Sequence, residues 1–183
     1  MKLIILDRDG VINHDSDDYI KTEDEWLPVD GSLQAIGRLC QEGYTVVVAT
    51  NQSGIARGYY DVKALHAMHK KMSRMLEQYS GHVEAIFFCP HGPKDNCDCR
   101  KPKPGLLRDI ASRYQCDLND VPFIGDTISD VRAARAAGAK PVLVRTGKGE
   151  RTLASADARE LENIPVYENL AAATQAILLE SEF

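Results

Sequence analysis

Leu3-Ile4-Ile5-Leu6-Asp7-Arg8-Asp9-Gly10 joins a brief apolar run to a charged turn that ends in glycine. The run is short and does not alternate, which suits a strand buried on both faces of a parallel sheet. Four similar runs follow at Thr45–Ala49, Ala85–Phe88, Pro122–Ile124 and Pro141–Val144. Amphipathic stretches separate them. Leu33, Ile36 and Leu39 form a stripe closed by Gly43, and Asp61 caps a second whose stripe is Leu65, Met68, Met72, Met75 and Tyr79. Leu107, Ile110 and Tyr114 make a third, Ile128, Val131 and Ala134 a fourth that stops at Gly138, and Leu170, Thr174, Ile177 and Leu178 a last. Strand–helix alternation implies an α/β fold with a doubly wound, Rossmann-like parallel sheet. Right-handed crossovers with one reversal give the strand order 3-2-1-4-5. Residues 1–183 read as a single domain, with irregular stretches at His14–Pro28 and Cys89–Gly105 and no assignment for Thr146–Asn163.

Composition narrows the function classes. The 183 residues carry 27 acidic against 22 basic side chains, a formal net charge of -5. That balance argues against nucleic-acid and anionic-membrane partners, which select a basic excess. No segment reaches the roughly 18 apolar residues of a membrane span. Asp7 interrupts the first apolar run well short of a signal-peptide core. The five cysteines are an odd number, and three lie within Cys89–Cys99. Without an export signal this favours thiols and metal over disulfides. The expected location is the cytoplasm and the expected state a monomer.

In doubly wound sheets, ligands bind at the carboxyl ends of the strands beside the switch point. Asp7 and Asp9 follow the first strand, Thr50 and Asn51 the second, Asp126 the fourth. In the expected order these strands are adjacent, so the three groups should meet. Carboxylates that close repel unless a cation or proton intervenes. A hard divalent ion with oxygen ligands, magnesium above all, suits a site that also takes phosphate. Thr50 and the backbone N–H of Asn51 are placed to hold a phosphoryl group. The plain alternative is that Asp7 and Asp9 cap a turn and Thr50 merely ends a strand. Three clusters at three neighbouring strand ends weigh against it.

The loop after the third run holds Cys89, His91, Cys97 and Cys99, three thiolates and one imidazole that complete a tetrahedral zinc set. With every position filled by protein, such zinc is structural. Ordinary free thiols or a redox pair are the bland reading. Cys40 and Cys116 fall on or beside helical stripes and read as packing residues. Arg100-Lys101 follows the last zinc ligand, so the loop would position Lys101 at phosphate, with Arg100 available for substrate. Arg57 and Lys148 are weaker candidates, and His14, His66, His69 and His82 read as surface or packing residues.

Asp7-Arg8-Asp9-Gly10-Val11, Thr50-Asn51, Lys101-Pro102 and Gly125-Asp126 with Asp130 resemble the four signature motifs of the haloacid dehalogenase superfamily of phosphatases. The likeness implies that Asp7 is the nucleophile and Asp9 the general acid, then base. It implies magnesium on Asp7, the Asp9 carbonyl and Asp126, with Lys101 neutralising the phosphoryl group and Asp130 in support. Neither irregular stretch is long enough for the large cap domain that many superfamily members carry. The zinc loop, Thr50-Asn51-Gln52-Ser53-Gly54-Ile55-Ala56-Arg57-Gly58 and Val144-Arg145-Thr146-Gly147-Lys148-Gly149 resemble one branch especially, the D-glycero-D-manno-heptose 1,7-bisphosphate 7-phosphatases of lipopolysaccharide precursor synthesis. That branch implies a small phosphorylated sugar as substrate, bound by Thr50, Asn51, Gln52, Ser53, Arg57, Arg100 and Lys101. Thr127 stands where the branch often has Lys. Histidinol-phosphate phosphatase, with the same zinc loop, is the alternative. A phospho-receiver signalling domain is disfavoured, since its phosphorylated Asp follows strand 3, and here that strand ends in Phe88-Cys89-Pro90.

Overall fold

The computed structural model describes residues 1–157 and 159–180. Six parallel strands form one sheet in the order 3-2-1-4-5-6: β1 (Lys2–Leu6), β2 (Tyr44–Asn51), β3 (Ala85–Cys89), β4 (Pro122–Gly125), β5 (Lys140–Val144) and β6 (Val166–Tyr167). The helices are α1 (Ser32–Gln41), α2 (Val62–Glu77), α3 (Gly105–Tyr114), α4 (Ile128–Ala137), α5 (Gly149–Ser155) and α6 (Leu170–Glu180). The expected order holds, with β6 added at the edge beyond β5.

Side chains of a strand point alternately to its two faces, and here both faces are covered. Ile4, Leu6, Val46 and Val48 pack with Leu33, Ile36 and Leu39 of α1, Leu65, Met68 and Met72 of α2, and Leu170 of α6. Leu3, Ile5, Val47, Ala49 and Phe123 pack against Leu107 and Ile110 of α3 and Ala133 and Ala134 of α4. Two apolar faces explain why the strands read as continuous apolar runs. The register pairs Leu6 with Val48 and with Ile124, so β1 and β4 end within one residue of each other while β2 runs three residues further, to Asn51.

Helix ends follow local chemistry. The Asp61 carboxylate accepts from the Ala64 N–H at 2.8 Å and starts α2. Thr127 and Asp130 form a reciprocal capping box on α4, and Gly138 at φ 80° ends it. The expected stripe of α2 is corrected at one place. The helix stops at Glu77, Leu76 is the last buried position, and Tyr79 lies exposed beyond it. The unassigned stretch 146–163 contains α5, whose turn follows β5 closely.

Segments 14–28 and 90–104 contain no helix or strand and cover the carboxyl end of the sheet as loops. The first is tied down by fully buried Trp26 and by Lys71 Nζ, which donates to the carbonyls of Glu23 (2.6 Å) and Trp26 (2.8 Å). Among the described residues, no helix is long and apolar enough to cross a membrane.

Candidate active site

Asp7 is the first residue past β1, and its N–H still donates to the Ile124 carbonyl at 2.8 Å, which fixes it beside β4. Its carboxylate accepts from the Arg8 N–H at 2.7 Å and meets Lys101 Nζ at 3.0 Å. Lys101 arrives from the far loop and is clamped to the end of β2 by a two-way bond. Its N–H donates to Asn51 Oδ1 and its carbonyl accepts from Asn51 Nδ2, both at 3.1 Å. The ammonium also reaches Asp130 Oδ1 (2.6 Å) and the Ala49 carbonyl (2.9 Å). Asp126, one residue past β4, completes a buried trio: oxygens of Asp7, Asp126 and Asp130 lie within 4.8 Å of one another.

Three carboxylates face one ammonium there. Burial, with like charge from Asp130 and Asp9 against the pull of Lys101, pushes Asp7 up to about 7. Burial, then Asp130 and Asp7, pushes Asp126 well above the carboxylate range. Burial opposes the Lys101 charge, yet Asp130 and Asp7 outweigh it and hold that pKa raised. Excess negative charge on crowded hard oxygens is what a small divalent cation relieves, so the residues present fit magnesium.

Asp9 sits in a different setting. Its Oδ1 accepts from Arg8 Nε (3.2 Å), Arg8 NH2 (2.8 Å) and Asn13 Nδ2 (2.9 Å), and its Oδ2 from Gln52 Nε2 (2.9 Å). Burial works against its charge, but Arg8 and these hydrogen bonds prevail and lower its pKa. Arg8 is wholly buried and ends against Met68 Sδ and His69 Nε2, the latter at 3.3 Å. His69 therefore lies behind the site, kept neutral by burial and by Arg8, which push it down to about 3.

A cavity of about 290 Å³ opens above these groups. Asp7, Asp9, Asn51, Lys101 and Asp126 form its floor; Gln52, Ser53, Asp15, Tyr19, Tyr60, Arg100 and Lys148 form its walls. Thr50 lies beneath, buried, its Oγ1 accepting from Gln52 Nε2 at 2.9 Å. Arg57 is outside the lining, its guanidinium 5.9 Å from the centre of the Tyr19 ring. Lys148 brings a cation to the rim that sequence reasoning ranked low: its N–H donates to Asp126 Oδ2 at 2.7 Å and its ammonium pairs with Asp15 at 3.0 Å. Gly10 and Gly147 touch across Asp126, and a side chain at either would collide with that carboxylate. Thr146 Oγ1 closes the seam by donating to the Gly10 carbonyl at 2.6 Å.

At the end of β3, Cys89 Sγ lies 3.7 Å from Cys97 Sγ, 3.1 Å from Cys99 Sγ and 3.6 Å from His91 Nδ1. His91 Nδ1 is 3.3 Å from Cys99 Sγ. A disulfide would need sulfurs about 2.05 Å apart. Ligands around a tetrahedral zinc stand about 3.5–3.8 Å apart, given metal–ligand distances of about 2.3 Å to sulfur and 2.0–2.1 Å to nitrogen. The separations of 3.6 and 3.7 Å fall in that range and the two to Cys99, 3.1 and 3.3 Å, are shorter, so the donor types and their gathering match a zinc site with Cys99 drawn in close. Cys40 stays apart, its sulfur donating to the His82 carbonyl at 3.3 Å.

Fold and site together define a hydrolase of the haloacid dehalogenase class, and residues 98–173 match the HAD-hydrolase-like family model. The chain is 56% identical to the D-glycero-beta-D-manno-heptose-1,7-bisphosphate 7-phosphatase of Pseudomonas aeruginosa, over 96% of this chain and 97% of that protein. It is likewise 56% identical to the enzyme of that name from Bordetella bronchiseptica, over 99% of this chain and 100% of the relative. The crystal structure of the B. bronchiseptica D,D-heptose 1,7-bisphosphate phosphatase, complexed with magnesium and phosphate, superposes with a TM-score of 0.96 at 56% identity, covering 98% of this chain and 99% of that one. The Burkholderia thailandensis D,D-heptose 1,7-bisphosphate phosphatase gives 0.77 at 42% identity, covering 97% and 99%. The chain belongs to the D-glycero-beta-D-manno-heptose-1,7-bisphosphate 7-phosphatase family and is a phosphoric monoester hydrolase.

Proposed function

We propose that this chain removes the 7-phosphate of D-glycero-D-manno-heptose 1,7-bisphosphate through an aspartyl-phosphate on Asp7, in the supply of lipopolysaccharide heptose. The observation that carries the reading is the Asp7 carboxylate on the cavity floor, oriented by the Arg8 N–H and Lys101 and facing the space a phosphoryl group would fill.

Asp7 attacks phosphorus, and the bond from phosphorus to the sugar O7 breaks. Asp9, in its protonated form, gives its proton to that oxygen and the heptose 1-phosphate leaves. Asp9, now a carboxylate, takes a proton from water whose oxygen attacks the same phosphorus. The bond to Asp7 then breaks, releasing phosphate and restoring the nucleophile. The network of Arg8, Asn13 and Gln52 suits the carboxylate form that the second half requires. Lys101 and the Thr50-Asn51 strand end steady the phosphoryl oxygens. Asp7, Asp126 and the Asp9 carbonyl would hold magnesium, which when bound offsets the charge of an anion attacking an anion. Cys89, His91, Cys97 and Cys99 would hold structural zinc and so fix the loop that delivers Arg100 and Lys101. Arg100 and Lys148, which line the cavity, would take the 1-phosphate, the guanidinium through paired hydrogen bonds. The enzyme is proposed to work as a cytoplasmic monomer.

The test compares kcat/KM for the heptose bisphosphate and histidinol phosphate, with Arg100→Ala alongside wild type. The bisphosphate should be preferred, and Arg100→Ala should weaken it about tenfold more than a simple monophosphate, the worth of a charge-assisted hydrogen bond. A preference for histidinol phosphate would overturn the substrate and leave the phosphatase chemistry intact.

A further inference from the structure

Gln52 is 2% exposed, and both ends of its amide are engaged. Nε2 donates to Asp9 Oδ2 and to Thr50 Oγ1, each at 2.9 Å. Oε1 accepts from the Tyr60 hydroxyl at 2.5 Å and from Arg8 NH2 at 3.4 Å. The two ends of an amide are not interchangeable, one donating and the other accepting. A phenol donating to Oε1 therefore turns Nε2 toward Asp9. Burial pushes the Tyr60 phenol up to about 12, so it stays a donor at working pH. Its ring is fixed in turn, because it lies directly over Gly54, where any side chain would strike it, and it packs against the core under α2.

Asp9 Oδ1 is held independently by Arg8 and Asn13. The rotation of the carboxyl group, and with it the direction of Oδ2, is left to Gln52. Tyr60 and Gln52 both border the cavity at this edge.

We propose that Tyr60, acting through Gln52, is a positioning residue that aims Asp9 at the oxygen of the leaving group. This rests on the reading of Asp9 as proton donor to that oxygen. A donor aimed wrongly loses much of the about 10²–10⁴-fold that general acid catalysis supplies, and the loss grows with the basicity of the leaving group. Tyr60→Phe keeps the ring and removes only the hydroxyl that orients the amide.

The experiment measures kcat/KM of the full-length magnesium-loaded enzyme on phenyl phosphate and 4-nitrophenyl phosphate. These are similar in shape, but phenolate is the poorer leaving group. Tyr60→Phe should lose about tenfold more on phenyl phosphate than on 4-nitrophenyl phosphate, and Gln52→Met should show the same pattern. Asp9→Asn, measured in parallel, should show it more strongly. Equal losses on both substrates in Tyr60→Phe and Gln52→Met, or no loss, would overturn the positioning role while Asp9→Asn keeps its leaving-group dependence. An Asp9→Asn variant with no such dependence would bring down the reading of Asp9 and this inference with it.

Discussion

Magnesium should compete with protons for this site, and the structure sets the size of the effect. Asp7 is pushed from 3.8 up to about 7 in the metal-free protein, chiefly by burial. A raised carboxylate pKa stabilises the metal-free fold fully below the ordinary value, and that contribution is lost as pH rises through about 7. Metal takes the ionised form, so below about 7 each ion bound must displace a proton. For one group titrating near 7, the apparent dissociation constant carries a factor of one plus the proton-to-acid-constant ratio. That factor falls about 25-fold between pH 5.5 and 7.5, equivalent to about 2 kcal/mol. Asp126, raised in the same direction, steepens the dependence. His69, which burial and Arg8 push down to about 3, stays neutral across this window. The assay is calorimetric titration of magnesium into protein dialysed free of it with zinc left in place. Affinity should rise steeply up to about pH 7 and flatten beyond. Affinities within threefold of each other at the two pH values would refute the reasoning.

Asp7→Asn should fold, keep Lys101 paired with Asp130, and lose about 10³-fold or more in turnover, since an amide cannot become an acyl phosphate. Acid quench of the variant on substrate should trap no phosphoprotein, and near-native turnover would remove the covalent route. Cys97→Ser should drop zinc below one per chain by elemental analysis and lower Tm by at least about 5 °C, a loss of roughly 2 kcal/mol in a domain this size. Full zinc content with an unchanged Tm would contradict the structural role of the loop.

The legible parts of the chain were those whose signal is local. Each of the five apolar runs became a strand, because burial on both faces is written in consecutive residues. Asp61 and Gly138 mark helix ends through chemistry confined to one turn. β6 has only two residues, and what makes it a strand is its pairing with β5 rather than its own sequence. The acidic floor was readable because topology alone brings adjacent strand ends together. Its surroundings were not. Arg8 looks like a spacer between two aspartates, and only tertiary packing against α2 shows it buried among Asp9, Gln52 and His69. Tyr60 and Asn13 likewise carry no local pattern that points at Asp9. Lys148 lies 22 positions beyond Asp126, and the turn after β5 returns it to the rim.

The seam between Gly10 and Gly147 has a consequence for how the protein is made. Asp7 follows β1, the earliest strand of this sheet in chain order, yet its wall is closed by a turn nearly 140 residues later. At about 5–20 residues per second, a ribosome needs roughly 7–28 s to supply that turn. Until β4 is made the nascent chain holds Asp7 without Asp126 and its central strand lacks a neighbour, and until the later turn it lacks the Lys148 amide. Assembly of the acidic floor is thus a late event in biosynthesis, and a chain that stalls after β3 has neither the complete sheet nor the oxygens to capture an ion.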